Sequence, residues 1–388
     1  MRRIYFDNNA TTPVLPAVFE AMRPFFDEQF GNASSIHYHG QQTRAAVEEA
    51  RERVSKLLGC HPSEVIFTSG GTEADNLAIT GLVKPGDHII TSTIEHHAVL
   101  LTCQNLEKNG CEVTYVPVDG KSLIDPGDIR RAIRPNTKLI SVMMANNETG
   151  VLQPVEEIGK IAAETGIYFH TDAVQAAAKV AIDVAKIGCH ALSISGHKIH
   201  APQGVGAMYL KKGTKLRPLV YGGGQERTLR AGTENAPGIV GLGKAAQIAK
   251  ESLDRGDDKK MAGMRDRLQQ GILGQVDEAG VNGDGALRVP NTTNIFFDHI
   301  EGESLVIALD LKGLAVSGGA ACSSGAVEPS HVLAAMGLRH DRARASIRFS
   351  LGKQTTEEEI DAALTLIPDA INRLRSLSPG YRKQEIPI

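Results

Sequence analysis

Between residues 60 and 200, short apolar runs alternate with amphipathic stretches. The runs are Glu64-Val65-Ile66-Phe67-Thr68, His88-Ile89-Ile90, Glu112 to Val116, Lys138 to Met144, the approach to Phe169, and Ala191-Leu192-Ser193-Ile194. Strand and helix in alternation can bury both partners only as a doubly wound, largely parallel sheet with right-handed crossovers. Ligands bind such sheets outside the carboxyl ends of the strands. Thr72, His96, Asn147, Asp172, Gln175 and Lys198 all fall just after predicted strands, so they are expected to converge at one sheet edge. Gln203 to Leu210 reads as a further strand that returns antiparallel.

The predicted fold class is therefore α/β, with a large domain over residues 16–250. A smaller α+β domain is expected from residues 1–15 and 251–388, with strands near 292–298, 314–317 and 346–350. Its helices are predicted at Gly302–Lys312 and from about Thr356 to Arg375, the second opening on the capping box Thr356-Glu357-Glu358-Glu359. A length of 388 residues is ample for two such cores.

The stretch Phe169 to Lys198 carries the chemistry. Asp172 follows one apolar run and Lys198 follows the next, in His170-Thr171-Asp172-Ala173-Val174-Gln175 and Ser195-Gly196-His197-Lys198. Either residue alone reads as a solvated loop charge. Together they are the pair that a pyridoxal phosphate enzyme needs. An amine forms the Schiff base, and a carboxylate keeps the pyridine nitrogen protonated so that the ring accepts electrons. Gln175 adds an amide near the acid, and Ser195 and His197 add phosphate-binding side chains beside the lysine. Ser69-Gly70-Gly71-Thr72 joins a strand to a helix and would offer backbone N–H groups to an anion. It lacks both the Walker ending and the dinucleotide fingerprint, and an ordinary capped helix is its plain alternative. His96 and His97 are neighbours and point apart, without HExxH spacing, so no metal site is expected; one imidazole of the two lying on a cofactor ring is the better functional reading.

Ser317-Gly318-Gly319-Ala320-Ala321-Cys322-Ser323-Ser324-Gly325 is composed of tiny side chains around one nucleophile. A generic cysteine is a small buried residue; here the flanking glycines and serines argue for an exposed thiol on a loop. Cys60, Cys103, Cys111 and Cys189 sit in or beside regular elements and read as structural. The odd count and the absence of CxxC speak against a disulfide framework or zinc. A net charge of −3 leaves no electrostatic footprint for nucleic acid or an anionic membrane. No apolar run reaches the length of a membrane span, and residues 1–7 lack a signal-like apolar region, so the expected compartment is the cytoplasm.

Taken in order, these motifs resemble the cysteine desulfurases of the NifS/IscS type, among the fold-type I pyridoxal phosphate enzymes. The resemblance runs from Tyr5-Phe6-Asp7-Asn8-Asn9-Ala10-Thr11-Thr12 to Ser346-Ile347-Arg348-Phe349-Ser350-Leu351-Gly352. Between these it passes through Gly31-Asn32-Ala33-Ser34-Ser35, Glu95-His96, Asn146-Asn147-Glu148, Arg230-Ala231-Gly232-Thr233-Glu234 and Ala321-Cys322-Ser323.

The resemblance implies that Lys198 holds pyridoxal 5'-phosphate as a Schiff base and that Asp172 pairs with the pyridinium nitrogen. It implies that Gln175 and Asn147 hydrogen-bond near the phenolic oxygen, while His96 stacks on the ring and assists proton transfer. Gly71, Thr72, Ser195 and His197 would hold the phosphate. Thr233 would reach the phosphate of a neighbouring subunit, so a homodimer with shared sites is expected. Arg348 and Asn32 would clamp the carboxylate of L-cysteine, and Cys322 would accept the sulfur as a persulfide, leaving alanine. The persulfide would pass to an acceptor such as an iron–sulfur scaffold protein. Ile199-His200 stands where the family commonly has an aromatic-glycine pair, and the tail Leu377 to Ile388 differs from the scaffold-binding tail of housekeeping members. A selenocysteine lyase or a related aminotransferase would share Lys198 and Asp172, but an aminotransferase would not need Cys322.

Overall fold

The computed structural model of the chain describes residues 3–318 and 329–377. Its strands are β1 (Ile4–Tyr5), β2 (Val65–Thr68), β3 (His88–Ser92), β4 (Glu112–Val116), β5 (Thr137–Ser141), β6 (Tyr168–Asp172), β7 (Ala191–Ser195) and β8 (Gly206–Leu210). These are followed by β9 (Ala279–Val281), β10 (Thr292–Phe297), β11 (Leu314–Ala315), β12 (Ser317–Gly318) and β13 (Ser346–Ser350). The main helices of the first part are α1 (Pro16–Met22), α2 (Tyr38–Leu58), α3 (Gly71–Leu82), α4 (His97–Lys108), α5 (Pro126–Ala132), α6 (Val155–Thr165) and α7 (Val184–Ile187). Those of the second part are α8 (Ala236–Asp254), α9 (Asp257–Leu273), α10 (Gly302–Leu311), α11 (His331–Ala335), α12 (His340–Arg344) and α13 (Glu357–Leu377).

The large sheet runs β2-β8-β7-β6-β5-β3-β4. Its pairs are parallel from β7 to β4, whereas β8 lies antiparallel between β7 and β2. Period-two alternation distributes the strand side chains to two cores. Ile90, Ile140 and Leu192 join the core under α2, α6 and α8, while Ile89, Leu139 and Ala191 join the core under α3 and α4. Burial on both faces is why these strands read as continuous apolar runs. A second, antiparallel sheet, β12-β13-β10-β9, packs on α9, α10 and α13 around Phe297, Phe349, Leu268 and Ile367.

The N-terminal segment ties the two sheets together. β1 pairs with β11, Asp7 bridges to Ser350, and Asn9 N–H donates to Ser350 Oγ at 2.9 Å. The chain then crosses to the large sheet, where Thr12 N–H donates to the His197 carbonyl at 2.9 Å.

The local signals behave as their chemistry requires. Gly59 caps α2 at φ +70°, and Thr356 and Glu359 complete their capping box on α13 through bonds of 3.3 and 3.2 Å. Several expectations are corrected. The strand expected to reach Met144 ends at Ser141. The strand expected at 314–317 is two pieces, one pairing β1 and the other β13. Between β4 and β5 the chain forms α5, with Pro126 at its first turn and the Asp125 carboxylate accepting from Gly127 N–H at 2.8 Å. The long helix after residue 235 breaks at Gly256, φ +77°, and α9 follows it. Cys322 lies outside the described residues.

Two glycines test the packing in opposite directions. A Cβ on Gly159 of α6 would stand 1.8 Å from the carbonyl oxygen of Ile187, a backbone atom that cannot step aside. Gly263, exposed in α9, has nothing within 4 Å of such a Cβ. In chemical denaturation, Gly159→Ala is expected to cost several kcal/mol, while Gly263→Ala is expected to stabilise by about 0.5–1 kcal/mol through helix propensity. Equal effects would contradict this packing.

Candidate active site

A cleft of about 400 Å³ opens at the carboxyl edge of the large sheet, and Arg348 of the second sheet also lines it. β6 delivers Asp172 and then Gln175. β7 delivers Ser195 at its end and runs into one tight turn, Gly196–Lys198, which delivers His197 and Lys198. The α3 start contributes Gly71 and Thr72, the α4 start His96, the segment after β5 Asn147, and β13 Arg348. Every one of these candidates lines the same cleft.

Burial is the dominant force on the acids. It pushes the Asp172 carboxyl up to about 7, with nearby Asp75 adding to the rise. The Val174 N–H, donating to Asp172 Oδ1 at 2.8 Å, and Lys198 work against it. A cationic ring nitrogen is the partner such a carboxylate lacks. The Lys198 amine donates to the carbonyls of Asn9 and Ala10 at 2.5 and 2.7 Å.

The α3 start is built for an anion. A Cβ on Gly71 would meet Val174 Cγ2 at 2.7 Å, so only bare backbone fits there. The first-turn N–H groups of a helix have no intrahelical acceptor, and Gly71 and Thr72 bring them to the cleft beside Ser195 and His197. Burial, helped by Lys198, holds the His197 ring down at about 4, so it is a neutral hydrogen-bonding group at neutral pH.

His96 caps α4. Its Nδ1 accepts from Ala98 N–H at 3.1 Å, and burial holds its pKa down at about 4. The neutral ring therefore carries its hydrogen on Nε2 and serves the cleft as a donor.

Arg348 donates to the Asn147 carbonyl at 2.9 Å and to Asp7 Oδ1 at 2.7 Å. Three buried polar atoms on the cleft lining have no hydrogen-bond partner among the described residues: Arg348 Nε, Asn147 Oδ1 and Asp75 Oδ1. Buried polar atoms are rarely left so; Asp75 Oδ1 faces His170 Nε2 at 3.5 Å, and a ligand with a carboxylate and polar ring substituents would satisfy Arg348 Nε and Asn147 Oδ1. The donor set fits a phosphate-bearing aldehyde cofactor together with an amino-acid carboxylate.

Two candidates stand elsewhere. Asn32 is exposed and uses its side-chain oxygen on Ser34 N–H at 2.9 Å. Thr233 is exposed on the loop after Arg230, and neither residue lines this cleft. The described cysteines stand apart from the cleft lining, and burial pushes the Cys60, Cys103 and Cys189 thiols up to about 12.

Several lining residues had no role in the sequence reading. Glu148, raised to about 7 by burial, accepts from Ser330 Oγ at 2.5 Å. His331 donates from Nε2 to the Glu95 carbonyl at 2.9 Å. Asp75 stands 3.5 Å from His170 and is raised to about 7 by burial. Asp75 and Glu148 both lie inside motifs whose neighbouring residues carried the signal, and nothing in their spacing singled them out.

The class-V aminotransferase family model matches residues 4–363. The cysteine desulfurase IscS of Dictyoglomus turgidum is 48% identical over 389 residues, spanning 99% of this chain and 98% of its own. The chain belongs to the cysteine desulfurases of the class-V aminotransferase family. A solved NifS-like protein is similar in fold, with a TM-score of 0.89 at 40% identity over 96% of this chain and all of its own. SspA, solved in complex with cysteine, has a TM-score of 0.78 at 39% identity, covering 90% of this chain and 98% of its own.

The desulfurase cleft sets a pH dependence for the cofactor-free fold. A carboxyl raised by folding stabilises at low pH, and that stability is lost as pH rises through the folded value. Asp75, Asp172 and Glu148 at about 7, and Glu95 at about 8, lose it between about pH 4 and 8. A histidine lowered by folding does the reverse, so His96, His170 and His197, at about 4 against an ordinary 6.5, lose stability as pH falls from 6.5 to 4. The two sets oppose each other below pH 6.5; above it the four carboxyls outnumber Lys179, a lowered amine that adds stability as pH rises. The unfolding midpoint of the cofactor-free desulfurase is expected to fall between about pH 6.5 and 8.5, less steeply in Asp75→Asn. A midpoint that rises over that window contradicts the buried-acid assignment.

Proposed function

We propose that this desulfurase takes the sulfur of L-cysteine with pyridoxal 5'-phosphate held at Lys198, and passes it to Cys322. The observation that carries the reading is the meeting of Asp172, Lys198 and the anion-binding start of α3 in one cleft. The complex of cysteine with the related SspA supports the substrate.

Pyridoxal phosphate, when bound, supplies an electron sink for negative charge developing at the substrate α-carbon. Asp172 keeps the ring nitrogen protonated. Gly71, Thr72, Ser195 and His197 hold the phosphate, and His96 stacks on the ring and donates from Nε2. Asn147 and Gln175 serve the phenolic oxygen. Arg348 receives the substrate carboxylate, and its buried Nε has no protein acceptor. Lys198, whose amine donates to the Asn9 and Ala10 carbonyls, would anchor the cofactor and would carry protons to and from the substrate carbon. The Cys322 thiolate then attacks the substrate sulfur. The S–S bond forms as the C–S bond breaks; the C–S electron pair stays with the substrate β-carbon, which takes a proton, so that alanine is left and the sulfur is carried as a persulfide. Asn32 is kept as a second carboxylate contact only through movement of its segment or through a neighbouring subunit.

The enzyme acts as a homodimer, with Thr233 completing the phosphate site of the neighbouring subunit. Exposure of Thr233 on a firmly held loop supports this. The persulfide goes to an acceptor protein such as an iron–sulfur scaffold, in the cytoplasm.

With L-cysteine, the wild type is expected to yield alanine and to gain one sulfur on the Cys322 peptide. Cys322→Ser should keep its cofactor spectrum and lose turnover by orders of magnitude, because a hydroxyl is a far poorer nucleophile than a thiolate. Added sulfur on Cys60, Cys103, Cys111 or Cys189 would move the role elsewhere. Shared sites have their own test. Mixed dimers of Lys198→Ala and Thr233→Ala subunits are expected to recover activity, since one of the two sites is intact; stable mixed dimers that stay inactive would place each site within one chain.

A further inference from the structure

Lys179 is the one amine near the cleft that the proposed chemistry leaves without a task. It lies in the turns that follow Asp172 and lines a second cavity, of about 330 Å³, behind the catalytic cleft. Lys198 lines both. The Lys179 amine donates to Gln175 Oε1 at 2.6 Å and to Asn9 Oδ1 at 3.0 Å. Burial holds it well below the ordinary lysine range, and the Lys198 and Arg348 cations add to that. Gln175 Oε1 and Asn9 Oδ1 are both acceptors, so the amine donates to each whether or not it carries a third hydrogen.

The consequence falls on Gln175. An amide can be turned end for end, and only its partners decide which end is oxygen. With Nε2 held at the Asn9 carbonyl, the other end, Oε1, is left to accept from Lys179. The Asn9 carbonyl must accept, so it takes Nε2, at 3.0 Å. The same Asn9 oxygen accepts from Lys198 Nζ. One N–H of Gln175 is thereby left over for the cleft that Gln175 lines. A reversed amide would set its oxygen against the Asn9 carbonyl and leave Lys179 facing another donor.

We propose that Lys179 is a positioning residue: by donating to Gln175 Oε1 it locks that amide so that an N–H is presented to the phenolic oxygen of the bound cofactor. The proposal rests on the reading of Gln175 as the phenolic-oxygen partner. A donor there stabilises the phenolate and lowers the pKa of the Lys198 Schiff base.

The test is a spectrophotometric pH titration of the cofactor-loaded enzyme, with thermal melts run on the same samples. Lys179→Met removes the donor at similar volume. It is expected to raise the Schiff-base midpoint by about half a unit to one unit and to lower kcat with KM for L-cysteine little changed. Lys179→Gln, which keeps a donor without an ammonium, is expected to hold the wild-type midpoint. In a Gln175→Met background, Lys179→Met is expected to add no further shift. A Lys179→Met midpoint equal to wild type, or the same shift in the Gln175→Met background, overturns the proposal. So does a Lys179→Gln midpoint displaced by more than about half a unit, and that variant decides the matter alone should Lys179→Met not fold. A wild-type enzyme with no lysine-linked cofactor band would instead refute the underlying cofactor reading.

Discussion

The site depends on Asn9. Its backbone oxygen accepts from Lys198 and Gln175, its side-chain oxygen accepts from Lys179 and Asn291, and its amide donates to Asn147 and Thr292. Its own N–H is held by Ser350. One residue of the N-terminal segment thus joins the turn after β7, the turn after β6, the segment after β5, β10 and the end of β13. Each of these elements carries or adjoins a cleft residue, so the relative placement of Lys198, Gln175, Asn147 and Arg348 is fixed through a common partner. The buried network is satisfied around Asn9 and left open at Arg348 Nε and Asn147 Oδ1. Satisfied bonds make the frame rigid, and the open ones are where binding free energy can be gained.

Electrostatics follow the same division. Burial disfavours charge in the cleft, so His96 and His197 are held neutral and the carboxyls of Asp75, Glu148 and Asp172 are raised toward neutrality. Asp172 is raised in part by a second acid, Asp75, which contacts His170 rather than a cation. A cofactor bringing a protonated ring nitrogen and a phosphate would supply the cation that Asp172 lacks and the anion that the α3 start is built to receive. Cofactor binding and the burial of these acids are then coupled, because each lowers the cost of the other.

Much of this was legible in the sequence, for identifiable reasons. Strands buried on both faces leave unbroken apolar runs, so β2 to β7 could be counted, and a doubly wound sheet brings their carboxyl ends together. That rule alone placed Thr72, His96, Asn147, Asp172, Gln175 and Lys198 at one edge. Arg348 comes from the other sheet, across many intervening residues, and only resemblance pointed to it. Short elements governed by tertiary pairing were misread: residues 314–318 serve β1 and β13 in turn, which no local periodicity encodes. Lys179 and Asp75 were invisible because a lysine and an aspartate on helical or turn segments read as solvated charges until a fold buries them.

The loop that carries Thr233 shows how a costly backbone is held in place. Glu226, Arg227 and Thr228 all have positive φ, at 42°, 58° and 68°, and non-glycine residues avoid that region at about 1 kcal/mol or more each. Arg51 grips the Glu226 carboxylate through two bonds of 2.8 Å, both side chains being buried. Glu226 also accepts from Phe67 N–H at 3.0 Å, and Arg51 lies 4.7 Å over the Phe67 ring. A buried pair of this kind repays its desolvation only with such added bonds, and its geometric return is a unique placement. Two residues before Gly232, Arg230 clasps Glu73, whose carboxylate also takes Ser69 N–H at 2.7 Å. The strained loop is therefore anchored at one end to β2 and at the other to the anion-binding turn at the start of α3. If Thr233 serves a neighbouring subunit, the turn that holds one phosphate and the loop that reaches for the other are fastened by the same glutamate.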